Sequence, residues 1–183
     1  MSASAISIKD REIATGTEDS CKVVVFYENT STRAGAMSVC DRLVEQFADD
    51  LDFEFRWWKF KRLGDPDIAG QVMQAATAAD IVMICPQAAS LPADTAEWVE
   101  TWAESGAASD GAITLVLPAN VDPAGEAANL MISIKWAAAR LGMDFLQVSV
   151  PATVATGGKA PLRPPVPLPT AEPPHTYHWG LNE

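Results

Sequence analysis

Lys22-Val23-Val24-Val25-Phe26-Tyr27 carries five consecutive apolar residues, rich in β-branched and aromatic side chains, behind a single lysine. A strand with one wet face alternates apolar and polar residues. A short run without alternation reads as a strand covered on both faces, which is the condition of a parallel sheet between layers of helices. Two later stretches repeat the pattern: Asp80-Ile81-Val82-Met83-Ile84-Cys85 and Ile113-Thr114-Leu115-Val116-Leu117.

Two further strand candidates differ. In Phe53-Glu54-Phe55-Arg56-Trp57-Trp58 the apolar Phe53, Phe55 and Trp57 are separated by Glu54 and Arg56; in Phe145-Leu146-Gln147-Val148-Ser149-Val150 one face holds Leu146, Val148 and Val150. Alternation implies a face only partly covered, and in an open sheet that places a strand at an edge. With the second and fifth strands outermost, the order is 2-1-3-4-5. This is the flavodoxin-like arrangement, a three-layer α/β fold with a five-stranded parallel sheet.

Helical patterns fill the gaps. Met37, Cys40, Leu43, Val44 and Phe47 recur at helical spacing. Asp65-Pro66 predicts a helix start, with Ile68, Val72, Met73 and Ala76 as its buried stripe. A third helix is expected over 91–104, closed by Gly106. Asp122-Pro123 predicts the start of a fourth, carrying Leu130, Met131, Ile134, Ala138 and Leu141 and ending at Gly142. The expected division is an N-terminal arm over 1–20, a domain over 21–150 and an extension over 151–183. That extension holds eight of the 13 prolines and ends in a more apolar stretch containing Tyr177, Trp179 and Leu181. It is expected to dock through 160–183 on its own domain or on a protein partner.

The net charge of −11 disfavours nucleic acid and anionic lipid, which need clustered basic residues. The one dense basic stretch, Lys59, Lys61 and Arg62, reads as a charged strand end. No apolar run approaches the ~20 residues that span a membrane, and the first residues lack a signal-peptide pattern. A cytoplasmic protein is expected. Cys21, Cys40 and Cys85 form no paired metal motif, and Cys40 and Cys85 fall on apolar faces as small buried residues. His175 and His178 read as part of the tail, and no metal site is expected. Glu97 and Glu100 read as a solvated face, and Trp98 and Trp102 as cover for the sheet edge or a contact surface.

In an open parallel sheet, ligands bind beyond the carboxyl ends of the strands where the order reverses. The first loop there, Glu28–Gly35, carries Asn29, Thr30, Ser31, Thr32 and Arg33 at a helix start. Hydroxyls, helix-start N–H groups and an arginine suit a phosphate; a helix N-cap is the structural alternative for Thr30, Ser31 or Thr32. The loop resembles the phosphate loop of flavodoxins and the Ser-x-Arg turn of NADPH-dependent FMN reductases, matched by Ser31 and Arg33. In those reductases a Pro-Glu-Tyr-Asn-x-Ser-x-Pro segment follows the third strand. Pro86, Ser90, Pro92 and Trp102 echo that layout, with Gln87, Ala88 and Ala89 in place of its glutamate, tyrosine and asparagine. The resemblance implies FMN, its phosphate on residues 29–33 and its ring against Pro86, Gln87, Ala88, Ser90, Pro118 and Asn120. The implied activity is electron transfer or NAD(P)H-dependent reduction. Neither the second nor the third loop supplies an aromatic to stack on that ring. The alternative is a non-catalytic scaffold with a lost cofactor site, and a homodimer fits either reading. A phosphoacceptor receiver shares the strand order, but here Cys85-Pro86 stands where its aspartate would be and Pro151 follows the fifth strand.

Overall fold

The computed structural model describes residues 20–47, 49–106, 110–151 and, as backbone, 179–181. Strand and helix alternate along it: β1 Ser20–Tyr27, α1 Thr30–Phe47, β2 Asp52–Lys59, α2 Pro66–Thr77, β3 Ile81–Cys85, α3 Ala93–Glu104, β4 Ala112–Pro118, α4 Ala128–Leu141, β5 Asp144–Val150 and β6 Trp179–Leu181. Every pairing is parallel, and the sheet runs β5-β4-β3-β1-β2-β6. The expected 2-1-3-4-5 order is present. β6 was not expected as a strand. It pairs with β2, setting Trp179 opposite Phe55 and Leu181 opposite Trp57. β2 is therefore not an edge strand. Its alternation reflects uneven cover on its two faces: Phe55 and Trp57 are buried, whereas Arg56 is exposed and paired with Glu54 at 2.8 Å. The rest of the proline-rich extension, with Tyr177, His175 and His178, lies outside the described residues.

β1 is the axis. Val23, Val25 and Tyr27 enter a core beneath α1 with Phe55, Trp57, Met83, Cys85, Val116 and Val150. Val24 and Phe26 enter the larger core on the other face, shared with α2, α3 and α4. Of the expected α1 stripe, Cys40 is buried and Leu43 and Val44 pack at the core's margin, whereas Met37 and Phe47 are each 37% exposed; Gly35, Ala36 and Val39 are buried as well. Small residues face the sheet because the helix lies close: a Cβ on Gly35 would stand 3.0 Å from Val150 Cγ2.

Asp65 caps α2 as predicted, accepting from Asp67 N at 3.1 Å, with Pro66 as the first helical residue. Val72 and Ala76 are buried, and Ile68 and Met73 pack at the core's margin. Asp122-Pro123 does not start α4. The Asp122 carboxylate accepts from Ala124 N at 3.0 Å and its carbonyl from Ala127 N at 3.0 Å, which closes a separate turn, and the helix begins at Ala128. Gly142 ends α4 in the left-handed region at φ 70°, where glycine pays no Cβ penalty. The basic stretch spans the end of β2 and a single 3-10 turn, Phe60–Arg62.

Trp98 and Trp102 neither cover an edge nor form a surface. They stack with centroids 5.6 Å apart inside the larger core, and Trp98 meets Phe26 at 5.0 Å. Neither indole N–H has a partner among the described residues. Burying ~200 Å² of ring contributes about 5 kcal/mol, and an unmet N–H costs ~1–3 kcal/mol. Burial outweighs the loss.

The lower ends of the strands are tied through Asp80. Its carboxylate accepts from Lys22 N at 2.7 Å and its carbonyl from Ala112 N at 2.8 Å. Gly111 passes so close that an added Cβ would lie 2.5 Å from that carbonyl. Gly111→Ala should lower the unfolding free energy by about 1–3 kcal/mol through overpacking, read as a reduced urea midpoint at an unchanged slope.

Candidate functional site

The order reverses between β1 and β3, and the loops at their carboxyl ends form a crevice of about 170 Å³. Ser31 and Thr32 line it from α1, Cys85, Pro86 and Gln87 from β3 and its loop, Val116, Pro118 and Asn120 from β4 and beyond, and Val150 and Pro151 from the end of β5. Six of the eleven sequence candidates therefore meet: Ser31, Thr32, Pro86, Gln87, Pro118 and Asn120. Ala88 and Ser90 are exposed and outside the lining, as is Thr30. Arg33 turns to the α1 face, its guanidinium 5.8 Å from the Tyr27 ring centroid and 6.0 Å from that of Trp57. Cys85, Val116, Val150 and Pro151 were not among the candidates. The signal for them was the position of strand ends, since their side-chain chemistry gives none.

The start of α1 is closed by its own side chains. Asn29 is the cap: its Oδ1 accepts from Ser31 N at 2.9 Å and Thr32 N at 3.1 Å. The Thr32 hydroxyl answers from inside the first turn, accepting from Glu28 N and Asn29 N, each at 3.0 Å, and donating to the Asn29 carbonyl at 3.0 Å. This is the logic of a capping box, with a hydroxyl reaching back in place of a carboxylate. The cap is thus Asn29, where the sequence pointed to Thr30, Ser31 or Thr32. The amides of residues 28, 29, 31 and 32 all have partners within the loop.

The first and second loops are also joined to each other. Gln87 N donates to Glu28 Oε2 at 2.7 Å, and Asn29 Nδ2 donates to Gln87 Oε1. These bonds join the loop after β1 to the loop after β3, and Gln87 is the crevice-lining residue they share.

The floor is thiol. Cys85 is fully buried, and burial, then the neighbouring Cys40 thiol, push its pKa well above the ordinary 9.0. Burial, then the Asp41 carboxylate, push Cys40 up to about 12. Cys40 Sγ lies 3.9 Å from Met83 Sδ. Both thiols stay protonated and unreactive at neutral pH. Among the described residues no three His, Cys, Asp or Glu side chains gather as a metal-binding set.

The residues present do not fit a flavin in this conformation. Cofactor pockets run to about 300–1,000 Å³, and this crevice is smaller. The Ser31 and Thr32 amides at the helix start are occupied by Asn29, the Gln87 amide is occupied by the Glu28 carboxylate, and no aromatic lines the walls.

Because both thiols titrate later in the folded chain than in the unfolded one, their contribution to stability is intact below pH 9.0 and is lost as pH rises through their folded pKa, about 12 for Cys40. Unfolding free energy should therefore fall above about pH 9. Cys40→Ala should flatten that slope, measured by urea denaturation across the alkaline range.

No protein-family model matches the chain, and no curated protein sequence does. Among solved structures, a flavodoxin of Streptococcus pneumonia TIGR4 superposes with a TM-score of 0.50 at 16% identity, covering 75% of this chain and 88% of that one. A short-chain flavodoxin associated with a bacterial microcompartment gives 0.47 at 16% identity, covering 72% and 85%. No helix among the described residues is long and apolar enough to cross a membrane. In topology and in three-dimensional likeness, the chain has the flavodoxin-like fold.

Proposed function

We propose that the chain is a cytoplasmic, non-catalytic flavodoxin-like interaction domain that works without FMN, and that one partner is a second copy of itself. The observation that carries the first half is Gln87, which bonds both Glu28 and Asn29 and ties the loops after β1 and β3 to each other. Three free cysteines suit a reducing compartment.

The second half rests on the groove between α3 and α4. Leu91, Val99, Ile132 and Trp136 line about 420 Å³ there, with Ile132 64% and Trp136 45% exposed. Exposed tryptophans of this kind anchor interfaces. The groove's two sides carry opposite charge: Glu100 and Glu104 on α3, and Arg140 over the Trp136 ring at 5.6 Å on α4. A two-fold axis would set α4 of one copy over α3 of the other and pair those charges. The net charge of −11 on each copy opposes association, so salt should strengthen it.

FMN binding, with electron transfer or NAD(P)H-dependent reduction, is the second reading. It is favoured by the convergence of Ser31, Thr32, Pro86, Gln87, Pro118 and Asn120 at the reversal of strand order. It requires Gln87 to release Glu28 and Asn29, with Asn29, Thr30 and Arg33 then turning to the phosphate and Ala88 and Ser90 to the ring.

Purified protein should show no flavin band at about 350–500 nm and should leave the fluorescence of added FMN unquenched. A flavin band, or saturable quenching, would establish the second reading instead. Sedimentation should show a dimer that Trp136→Glu weakens at least ~10-fold in Kd, the loss expected of an interface anchor. A wild-type chain that stays monomeric at every concentration would refute the self-association.

A further inference from the structure

On the face of the sheet opposite α1, a pocket of about 410 Å³ lies between α2 and the paired strands β1 and β2. Val24 and Trp58 from the strands and Ala75 and Ala78 from the helix side give it apolar walls. Lys22, Glu54 and Arg56 from the strands and Gln71 and Gln74 from α2 supply its polar groups. The volume falls in the range of about 300–1,000 Å³ typical of small-molecule sites. The pocket shares no lining residue with the crevice or with the groove between α3 and α4. Register accounts for the opening. Lys22 stands opposite Glu54 and Val24 opposite Arg56, while β6 sets Gly180 opposite Arg56, a residue with no side chain to add. With alanines on the helix side, space remains over the Val24–Arg56 pair.

The polar groups of this pocket are unbalanced. Lys22, Arg56 and Trp58 can donate hydrogen bonds and cannot accept them. The Lys22 ammonium forms no ion pair among the described residues. Arg56 gives Nε and Nη2 to one oxygen of Glu54, at 2.9 and 2.8 Å, so the pocket's only carboxylate is already engaged while Nη1 stays outside that pair. Trp58 is only 6% exposed, and its indole N–H has no partner among the described residues. Surplus donors beside apolar walls select a ligand with a negatively charged acceptor and an apolar body. The nearby helix end decides which anion. α2 lines the pocket with its C-terminal half, where the helix dipole is negative. That end opposes the double charge of a phosphate monoester more than the single charge of a carboxylate, and a carboxylate also matches the planar edge of a guanidinium.

We infer that the pocket between α2 and β2 binds a small organic carboxylate, with its charge on Lys22 and Arg56 and its apolar body against Val24 and Trp58. The site is separate from the crevice at the reversal of strand order, and it needs neither FMN nor self-association.

The test is a titration of the full chain with phenylbutyrate, read by the nuclear magnetic resonance signals of the tryptophan indole N–H groups. The Trp58 signal is identified as the one that Trp58→Phe removes. Phenylbutyrate should move that signal saturably, and phenylbutylamine, of matched shape and opposite charge, should leave it in place. Lys22→Gln and Arg56→Gln together, in a chain whose circular dichroism is unchanged, should weaken binding at least ~10-fold in Kd, the loss expected when hydrogen bonds from charged donors are removed. A Trp58 signal that never saturates, an equal response to the amine, or undiminished affinity in the double variant would each overturn the inference. Tighter binding of inorganic phosphate than of phenylbutyrate would overturn the assignment to carboxylates. Movement of the Trp136 signal with Trp58 unmoved would place the ligand in the groove between α3 and α4 and overturn the site.

Discussion

β1 has no free side. Its backbone is paired with β2 along Ser20–Tyr27 and with β3 along Val23–Tyr27, and its side chains fill two separate cores. Alternate residues must satisfy different neighbours, so a slip of one position would exchange Val23, Val25 and Tyr27 for Val24 and Phe26 in cores of different shape. The register of the central strand thereby sets the height of both flanking strands. It also fixes where their loops emerge, which places the crevice.

This constraint explains what was legible in the sequence. Residues that must avoid water on both faces have to be apolar without interruption, and that leaves a mark in β1, β3 and β4 that no local feature obscures. The strand order followed from where the mark weakened. At β2 the alternation comes from uneven cover on its two faces and not from an open edge. β6 was hidden because three residues, one of them Gly180, are too few to show a period. The start of α4 was misplaced because Asp122 uses its carboxylate on a nearer amide. The stripe of α1 was only partly legible, because Gly35 and Ala36, weak markers of burial in sequence, face a closely approached sheet beside Cys40, Leu43 and Val44.

The crevice was legible as a location and much less as a chemistry. The position of the loops follows from topology. What they do depends on which of several amides, hydroxyls and carboxylates find each other, and sequence spacing does not choose among those pairings. Asn29 takes the helix-start amides and Gln87 bridges two loops that are 58 residues apart or more. A helix start rich in hydroxyls can hold an anion or hold itself closed. Here it is closed.

The pairing of β6 with β2 has a temporal side. Chains are made from the amino end, and β2 emerges well over a hundred residues before Trp179 does. At translation speeds of about 5–20 residues per second, the interval is on the order of ten seconds. For that time Phe55, Arg56 and Trp57 present unpaired backbone in a strand rich in aromatics, a known invitation to wrong pairing between nascent chains. Glu54 and Arg56, charged residues in the middle of that strand, are placed to discourage such encounters until Trp179–Leu181 arrive to pair with it.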